Sequence, residues 1–412
     1  MALRRAPFLA WALLPLAACG GDDGVTPDPG EPGDDLRARA LAAGLAPLPD
    51  EPVRPVDNPL DPARVELGRL LFFDPVLSGP LDVACSTCHL PRFAFTDGRQ
   101  FPSGAGGEGL GPDRTDPAPA PLRLMPRNSP PVFNIGLYGR GSTTPTSNGT
   151  MFWSGSAFGL EDQVLNPIAA DNELRGMTYP KPVAVDSVLI RLRGIQGYLD
   201  AFENAFPQVA AAAQGDPARL ITHTTLRLTL AAYIRELMTP EAPLDHFLEG
   251  NDGALSAQQQ RGLDLFIGKG GCVECHTGPL LSDFSMRVIG AEQEGIGRDT
   301  TPGDDLGWGE HGGTPYSFRT PPLRQVALTP PYLHAGTAED LEELLAFKNR
   351  GVSEHSRVSN AQLDPAVKPL GLTSAEIQDL VAFLHALTDS TTPQSQLFQA
   401  PESVPSGLTV PK

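Results

Sequence analysis

The sequence has too few cysteines to brace itself with disulfides. Of its five, four fall in two Cys-x-x-Cys-His motifs, and the fifth, Cys19, closes an N-terminal leader, which leaves none for a structural bridge. It has no apolar run at the N-terminus long enough for a permanent membrane helix: the stretch 8–16 falls well short of the ~20 residues a span requires. Positive charge is scarce, with 31 Lys and Arg against 49 Asp and Glu for a net of −18, which excludes nucleic acid as the expected partner. Strand signals are few. No histidine occurs between His89 and His223, so that segment can offer no imidazole to a metal.

What is present begins with a processing signal. Arg4 and Arg5 precede the apolar stretch, which ends in Leu16-Ala17-Ala18-Cys19. This ending resembles a bacterial lipobox and predicts a signal peptide over 1–18, lipidation of Cys19, and a tether and linker over 19–59. An ordinary signal peptide with an incidental cysteine is the plainer alternative. Gly20 stands where an aspartate usually marks inner-membrane retention, so the expected location is periplasmic, lipid-anchored at the outer membrane. The anchor is the only membrane contact expected. Without Arg4 and Arg5, 29 basic residues face 49 acidic ones, a balance of −20 that suits a basic electron donor and equally a plain acidic surface.

Gly and Pro number 43 each, about a fifth of the chain together, which implies much irregular structure. Helical patterning is expected near Leu36 and over 62–73, 184–206, 217–239, 256–266, 338–349 and 373–388. Ser256 stands at one N-cap, and Thr373 with Glu376 has capping-box spacing. Both halves read as helix, Cys-x-x-Cys-His, loops, then helices, a degenerate duplication. The expected fold is all-α, with two cytochrome c-like haem domains and long irregular loops. The expected domains are 60–245 and 246–390, with a tail over 391–412. The loop 97–127 contains Gly104-x-Gly106-x-x-Gly109; this matches a dinucleotide loop in spacing, but no strand leads into it and no helix follows.

The chemistry lies in Cys85-Ser86-Thr87-Cys88-His89 and Cys272-Val273-Glu274-Cys275-His276. Residues i, i+3 and i+4 share one helix face. Two thiols so placed can bond both vinyl groups of one haem while the next residue offers its imidazole to the iron. A zinc or dithiol redox site is the alternative for one such motif. Two of them, with no spare cysteine, predict two covalent haem c groups held by Cys85, Cys88, Cys272 and Cys275, with His89 and His276 as iron ligands. A carrier keeps both axial positions filled, whereas a peroxidase needs one open.

Beyond these motifs, the sequence over about 60–390 resembles the bacterial di-haem cytochrome c peroxidases and their relative that matures methylamine dehydrogenase. The likeness rests on Leu67-Gly68-Arg69-Leu70-Leu71-Phe72-Phe73-Asp74, Pro126-Arg127-Asn128-Ser129-Pro130, Phe318-Arg319-Thr320-Pro321 and Pro331-Tyr332-Leu333-His334-x-Gly336. It implies an enzyme that reduces hydrogen peroxide at the first haem, with electrons from a small cytochrome c or copper protein entering at the second. Trp153, Gln163 and Glu173 occupy the positions of the family's inter-haem tryptophan, distal glutamine and distal glutamate. Each alone would read as core or surface. The resemblance also implies a calcium ion on the Asn128 side chain and the Thr329 and Pro331 carbonyls, a set of oxygen ligands that suits calcium, and a homodimer.

Two departures stand out. The family's peroxidases place a displaceable histidine after the first haem; its absence here implies that His89 binds alone and that the oxidised protein meets peroxide directly. The family's sixth ligand to the second haem lies fourteen residues after the histidine of the Pro-Tyr-x-His signature, which lands on Lys348 rather than a Met or Tyr. Helical phase with Leu341 and Leu344 or Leu345 turns Lys348 inward, although a lysine can also reach solvent. Met286 and His355 are the other candidates, and His334 is expected near the haem without ligating it. The departures leave room for an enzyme that oxidises a protein or organic substrate through high-valent haem. A non-enzymatic di-haem carrier is the third reading, and the Trp153, Gln163 and Glu173 trio argues against it.

Overall fold

The computed structural model describes residues 32–115, 124–293 and 305–412; the leader and Cys19 lie outside the described residues. The regular elements that position the sites are helices α1 (Pro32–Ala42), α2 (Pro62–Phe73), α3 (Ala184–Arg193), α4 (Gln196–Ala205), α5 (His223–Arg235), α6 (Ala257–Ile267), α7 (Leu341–Arg350) and α8 (Ser374–His385). Strands are two residues long. β1 (Thr150–Met151) pairs antiparallel with β2 (Ala157–Phe158), and β3 (Met286–Arg287) with β4 (Phe318–Arg319). No helix among the described residues is long and apolar enough to cross a membrane.

Two apolar cores form, each on a pair of helices that meet through a glycine. In the first, α2 starts at Pro62 behind the Asp61 cap and lies against α5, whose N-terminus is closed by Thr222 and Thr225 in a capping box. A Cβ on Gly68 would come within 2.3 Å of the Thr229 carbonyl, so only glycine lets the two backbones approach this closely. In the second, α6 lies against α8, and a Cβ on Gly262 would stand 2.0 Å from the Asp379 carbonyl. Both glycines open the same pattern, Gly-x-x-Leu-Phe, at Gly68–Phe72 and Gly262–Phe266. Phe72 and Phe266 are fully buried, each contributing roughly 2–3 kcal/mol of apolar burial. One helical unit thus leads into a Cys-x-x-Cys-His motif twice.

The helices expected over 184–206 and 217–239 are each broken. Gly194 ends α3 before α4 begins, and Thr222 restarts the chain as an N-cap after a short turn at 217–220. In both places a glycine or capping hydroxyl outweighs apolar periodicity. The two ends of the chain cross over. Leu36 and Ala40 of α1 are buried in the second core, where Arg37 and Arg39 pair with Asp252 and Asp264. Phe398, Val404 and Val410 are buried in the first core, and the Ser406 hydroxyl donates to Asp74 at 2.7 Å.

Candidate haem centres

Each motif forms one tight turn whose histidine is set by a backbone carbonyl. Cys85–Cys88 is a single helical turn, and the His89 N–H closes it on the Cys85 carbonyl at 3.0 Å. The His89 Nδ1 lies 3.0 Å from the Phe95 carbonyl, and the His276 Nδ1 lies 2.9 Å from that of Leu281. A carbonyl can only accept, so Nδ1 carries the proton and each Nε2 keeps its lone pair for a metal. The turns that aim these carbonyls are left-handed at Phe95 (φ 58°) and Leu281 (φ 50°), unusual for bulky residues. Neither carbonyl had a signal in the sequence, since any residue type supplies one.

Electrostatics suits a neutral porphyrin anchor. Burial pushes the Cys85 and Cys272 thiols up to about 12, and raises Cys88 and Cys275 as well. A dithiol redox pair needs the opposite shift. The four thiols are free, and no group of three or more His, Cys, Asp or Glu is gathered to hold a metal ion among the described residues. Burial lowers His89 below its usual range and His276 to about 4, so both imidazoles are neutral and able to ligate near pH 7. The residues therefore fit two covalently held haems.

On the first centre, Glu173 is half-buried, and burial alone raises its carboxyl to about 7. Its charge acts on both Cys85 and Cys88, which places it against that porphyrin site. Gln163 ends the helical turn Leu160–Gln163 and is half-buried; its side chain has no hydrogen-bond partner among the described residues. Its neighbours are committed elsewhere. Glu161 forms a buried pair with Arg235 at 2.7 Å, and Asp162 accepts from the Phe158 N–H at 3.2 Å. The exposed His223 pairs with Asp186 at 2.7 Å, well occupied at the surface.

The second centre opens into a large cavity. Cys272, Cys275, His276, Lys348, Trp153 and Asn128 are among the residues that line it. Lys348 is half-buried, has no carboxylate partner among the described residues, and is lowered to about 8 by burial. Its charge acts on His276, Cys272 and Cys275. Met286 and His355 do not line the cavity. The Met286 methyl instead covers Gly155, and the His355 ring lies 4.9 Å from Tyr316 with its Nδ1 accepting from the Arg357 N–H. His334 lines the cavity, stacked on Phe318 at 3.7 Å, and burial lowers it to about 3.

Trp153 is clamped at both ends. Its indole N–H donates to the Asn128 carbonyl at 2.9 Å, and its own carbonyl accepts from the Arg319 N–H at 2.8 Å. The Asn128 amide donates to the Arg99 carbonyl at 2.8 Å, which leaves Oδ1 without a donor among the described residues. The Thr329 and Pro331 carbonyls likewise accept no backbone hydrogen bond there, and all three residues line the same cavity. Three unspent oxygens on residues lining one cavity are the donor type that suits a hard cation.

The family model for di-haem cytochrome c peroxidase matches residues 62–253. The methylamine utilization protein MauG of Methylorubrum extorquens is 33% identical over 390 residues, covering 92% of this chain and 94% of that protein. The cytochrome c551 peroxidase of Pseudomonas aeruginosa is 31% identical over 357 residues, covering 86% of this chain and 87% of its own. Among solved structures, a MauG-like protein associated with microbial copper homeostasis is 29% identical and superposes with a TM-score of 0.69, covering 86% of this chain and 98% of that one.

Proposed function

The chain belongs to the di-haem cytochrome c peroxidase family, and from that premise we propose that it reduces hydrogen peroxide to water at the first centre with electrons received at the second. Two electrons and two protons convert one peroxide into two waters. The observation that carries this reading is the Glu173 carboxyl, held against the first pair of thiols without an ion-pair partner among the described residues and with a proton affinity near neutrality. Such a group is suited to proton transfer near pH 7.

The first haem supplies the iron on which peroxide is held and reduced. With that haem bound, Glu173 would be the group to accept a proton from peroxide and return it to the oxygen that departs as water. Gln163, its amide uncommitted among the described residues, would hold peroxide there by a hydrogen bond. Trp153, fixed by Asn128 and Arg319, offers an aromatic bridge between the centres. Lys348 would be the residue to offer nitrogen to the second haem: burial lowers its ammonium to about 8, which eases the loss of the proton that ligation needs. Asn128, Thr329 and Pro331 would hold a calcium ion at the lining of the second cavity. A small periplasmic cytochrome c or copper protein is the donor, and Cys19 carries the lipid anchor at the outer membrane.

One observation favours a second reading. An amine facing the second haem, in place of a thioether, would lower that haem's potential and favour its oxidised states, which suits an enzyme that holds oxidising equivalents for a protein or organic substrate. Peroxide added to the fully oxidised protein separates the readings. A rapid spectral response followed by oxidation of added reduced cytochrome c supports the peroxidase. A long-lived response without donor turnover supports the second reading. No response to peroxide refutes both.

A further inference from the structure

The glycine-rich stretch that resembles a dinucleotide loop encloses an arginine. Arg114 is 4% exposed. Its Nε donates to the Ser103 carbonyl at 2.9 Å, Nη2 to the Gly104 carbonyl at 2.6 Å and Nη1 to the Gly109 carbonyl at 2.7 Å. Gly107 lies over the guanidinium; a Cβ there would stand 2.8–2.9 Å from Nη2, Cζ and Nε. The spacing of these glycines answers a planar cation rather than a phosphate. A lysine could not replace it, because one ammonium cannot span three carbonyls arranged around a planar fork.

The peptide units that bind Arg114 also touch the first centre. A Cβ on Gly104 would come 2.2 Å from the Asn172 carbonyl and 2.5 Å from that of Glu173, so the loop presses directly on this backbone. The next N–H, of Ala105, donates to the Glu173 carbonyl at 2.8 Å. On the other side, the Ser103 carbonyl lies 3.7 Å from the Cys88 sulfur. The loop is thus wedged between the distal carboxylate's main chain and a haem-anchoring thiol, with Arg114 as its internal brace.

We propose that Arg114 is a positioning residue for Glu173: its guanidinium fixes the 103–109 loop, and that loop fixes the backbone from which the carboxyl reaches the first haem. The proposal rests on the reading of Glu173 given above. It gives the absence of a displaceable histidine a structural counterpart, because a loop braced from within is held in one arrangement and has no ligand to withdraw.

The test uses the full chain with both haems attached, as Arg114→Lys, Glu173→Gln and the double variant. Two quantities are read: amide hydrogen exchange of Ala105 in the resting protein, and the second-order rate of peroxide with oxidised protein. Arg114→Lys should expose Ala105 to exchange at least tenfold faster. It should also slow the peroxide reaction by about 10²-fold, the loss that an ångström of misplacement produces. The second haem's spectrum should stay unchanged. On the Glu173→Gln background the same change should cost less than about twofold, because the carboxyl it positions is gone. Unchanged exchange and rate, or losses that multiply in full, overturn the proposal. Should Arg114→Lys fail to retain the first haem, Gly107→Ala decides, since it displaces the guanidinium without removing it. Faster exchange with a five- to tenfold slower reaction is then the supporting result, and wild-type behaviour the refuting one. If Glu173→Gln itself reacts at the wild-type rate, the reading of Glu173 fails, while the exchange of Ala105 still reports whether Arg114 braces the loop.

Discussion

Replacing Glu173 by Gln should make the protein more stable and far less active, and the pH dependence of the stability gain identifies its cause. Burial raises the Glu173 carboxyl from 4.5 to about 7. With a folded-state value above the unfolded one, the folded form binds this proton more tightly. Its contribution to stability is fully present below pH 4.5 and is lost as pH rises through 7. Above that point the folded protein carries a half-buried carboxylate at a cost of roughly 3 kcal/mol, reduced to about 2 by the solvent that still reaches it. An amide has no charge to bury. In denaturant unfolding, the stability of the variant relative to wild type should therefore improve by roughly 2 kcal/mol between pH 5 and pH 8.5. The peroxide reaction should fall by about 10²–10⁴-fold, the range for loss of a general acid–base group. An equal stability difference at both pH values would show that the carboxyl is not destabilised by burial. A rate within threefold of wild type would remove it from proton transfer.

Lys348→Ala should change the optical spectrum of the second haem alone, and Lys348→Met should raise its potential in a redox titration, since a thioether favours the reduced iron; an unaltered spectrum removes Lys348 from the iron. Glu161→Ala leaves the Arg235 guanidinium, 2% exposed, without its carboxylate; unfolding should show a loss of roughly 3 kcal/mol while the peroxide rate of the folded protein is retained. Gly68→Ala places a methyl 2.3 Å from the Thr229 carbonyl and must part α2 from α5, so a loss above about 2 kcal/mol is expected in the same assay. Calorimetry on chelator-treated protein should detect one calcium site that Asn128→Ala abolishes, and heat of equal size in the variant excludes Asn128 as a ligand.

Much of the site was legible because its chemistry depends on residue type at short spacing. Two thiols and an imidazole at i, i+3 and i+4 need no tertiary context to be read as a haem anchor. Caps at Ser256 and Thr373 were equally local, and the structure has both. Helix length was less legible: Gly194 and Thr222 each end a turn that apolar periodicity would have continued. The run Glu161-Asp162-Gln163 shows the limit most clearly. The resemblance singled out Gln163, but only the fold commits its neighbours Glu161 to Arg235 and Asp162 to a backbone N–H while leaving Gln163 open among the described residues.

The amino-acid sequence by itself determined the helix caps and the two Cys-x-x-Cys-His anchors, which depend on residues a few positions apart, and the absence of a histidine between His89 and His223. Tertiary structure alone decided which backbone carbonyls orient His89 and His276, that Met286 and His355 lie off the cavity that Lys348 faces, and that Arg114 fills a glycine-lined loop behind Glu173. The division has a physical cause. Covalent and capping chemistry is written in side-chain identity. Burial, proton affinity and carbonyl direction arise only when segments distant in the chain exclude water from one another.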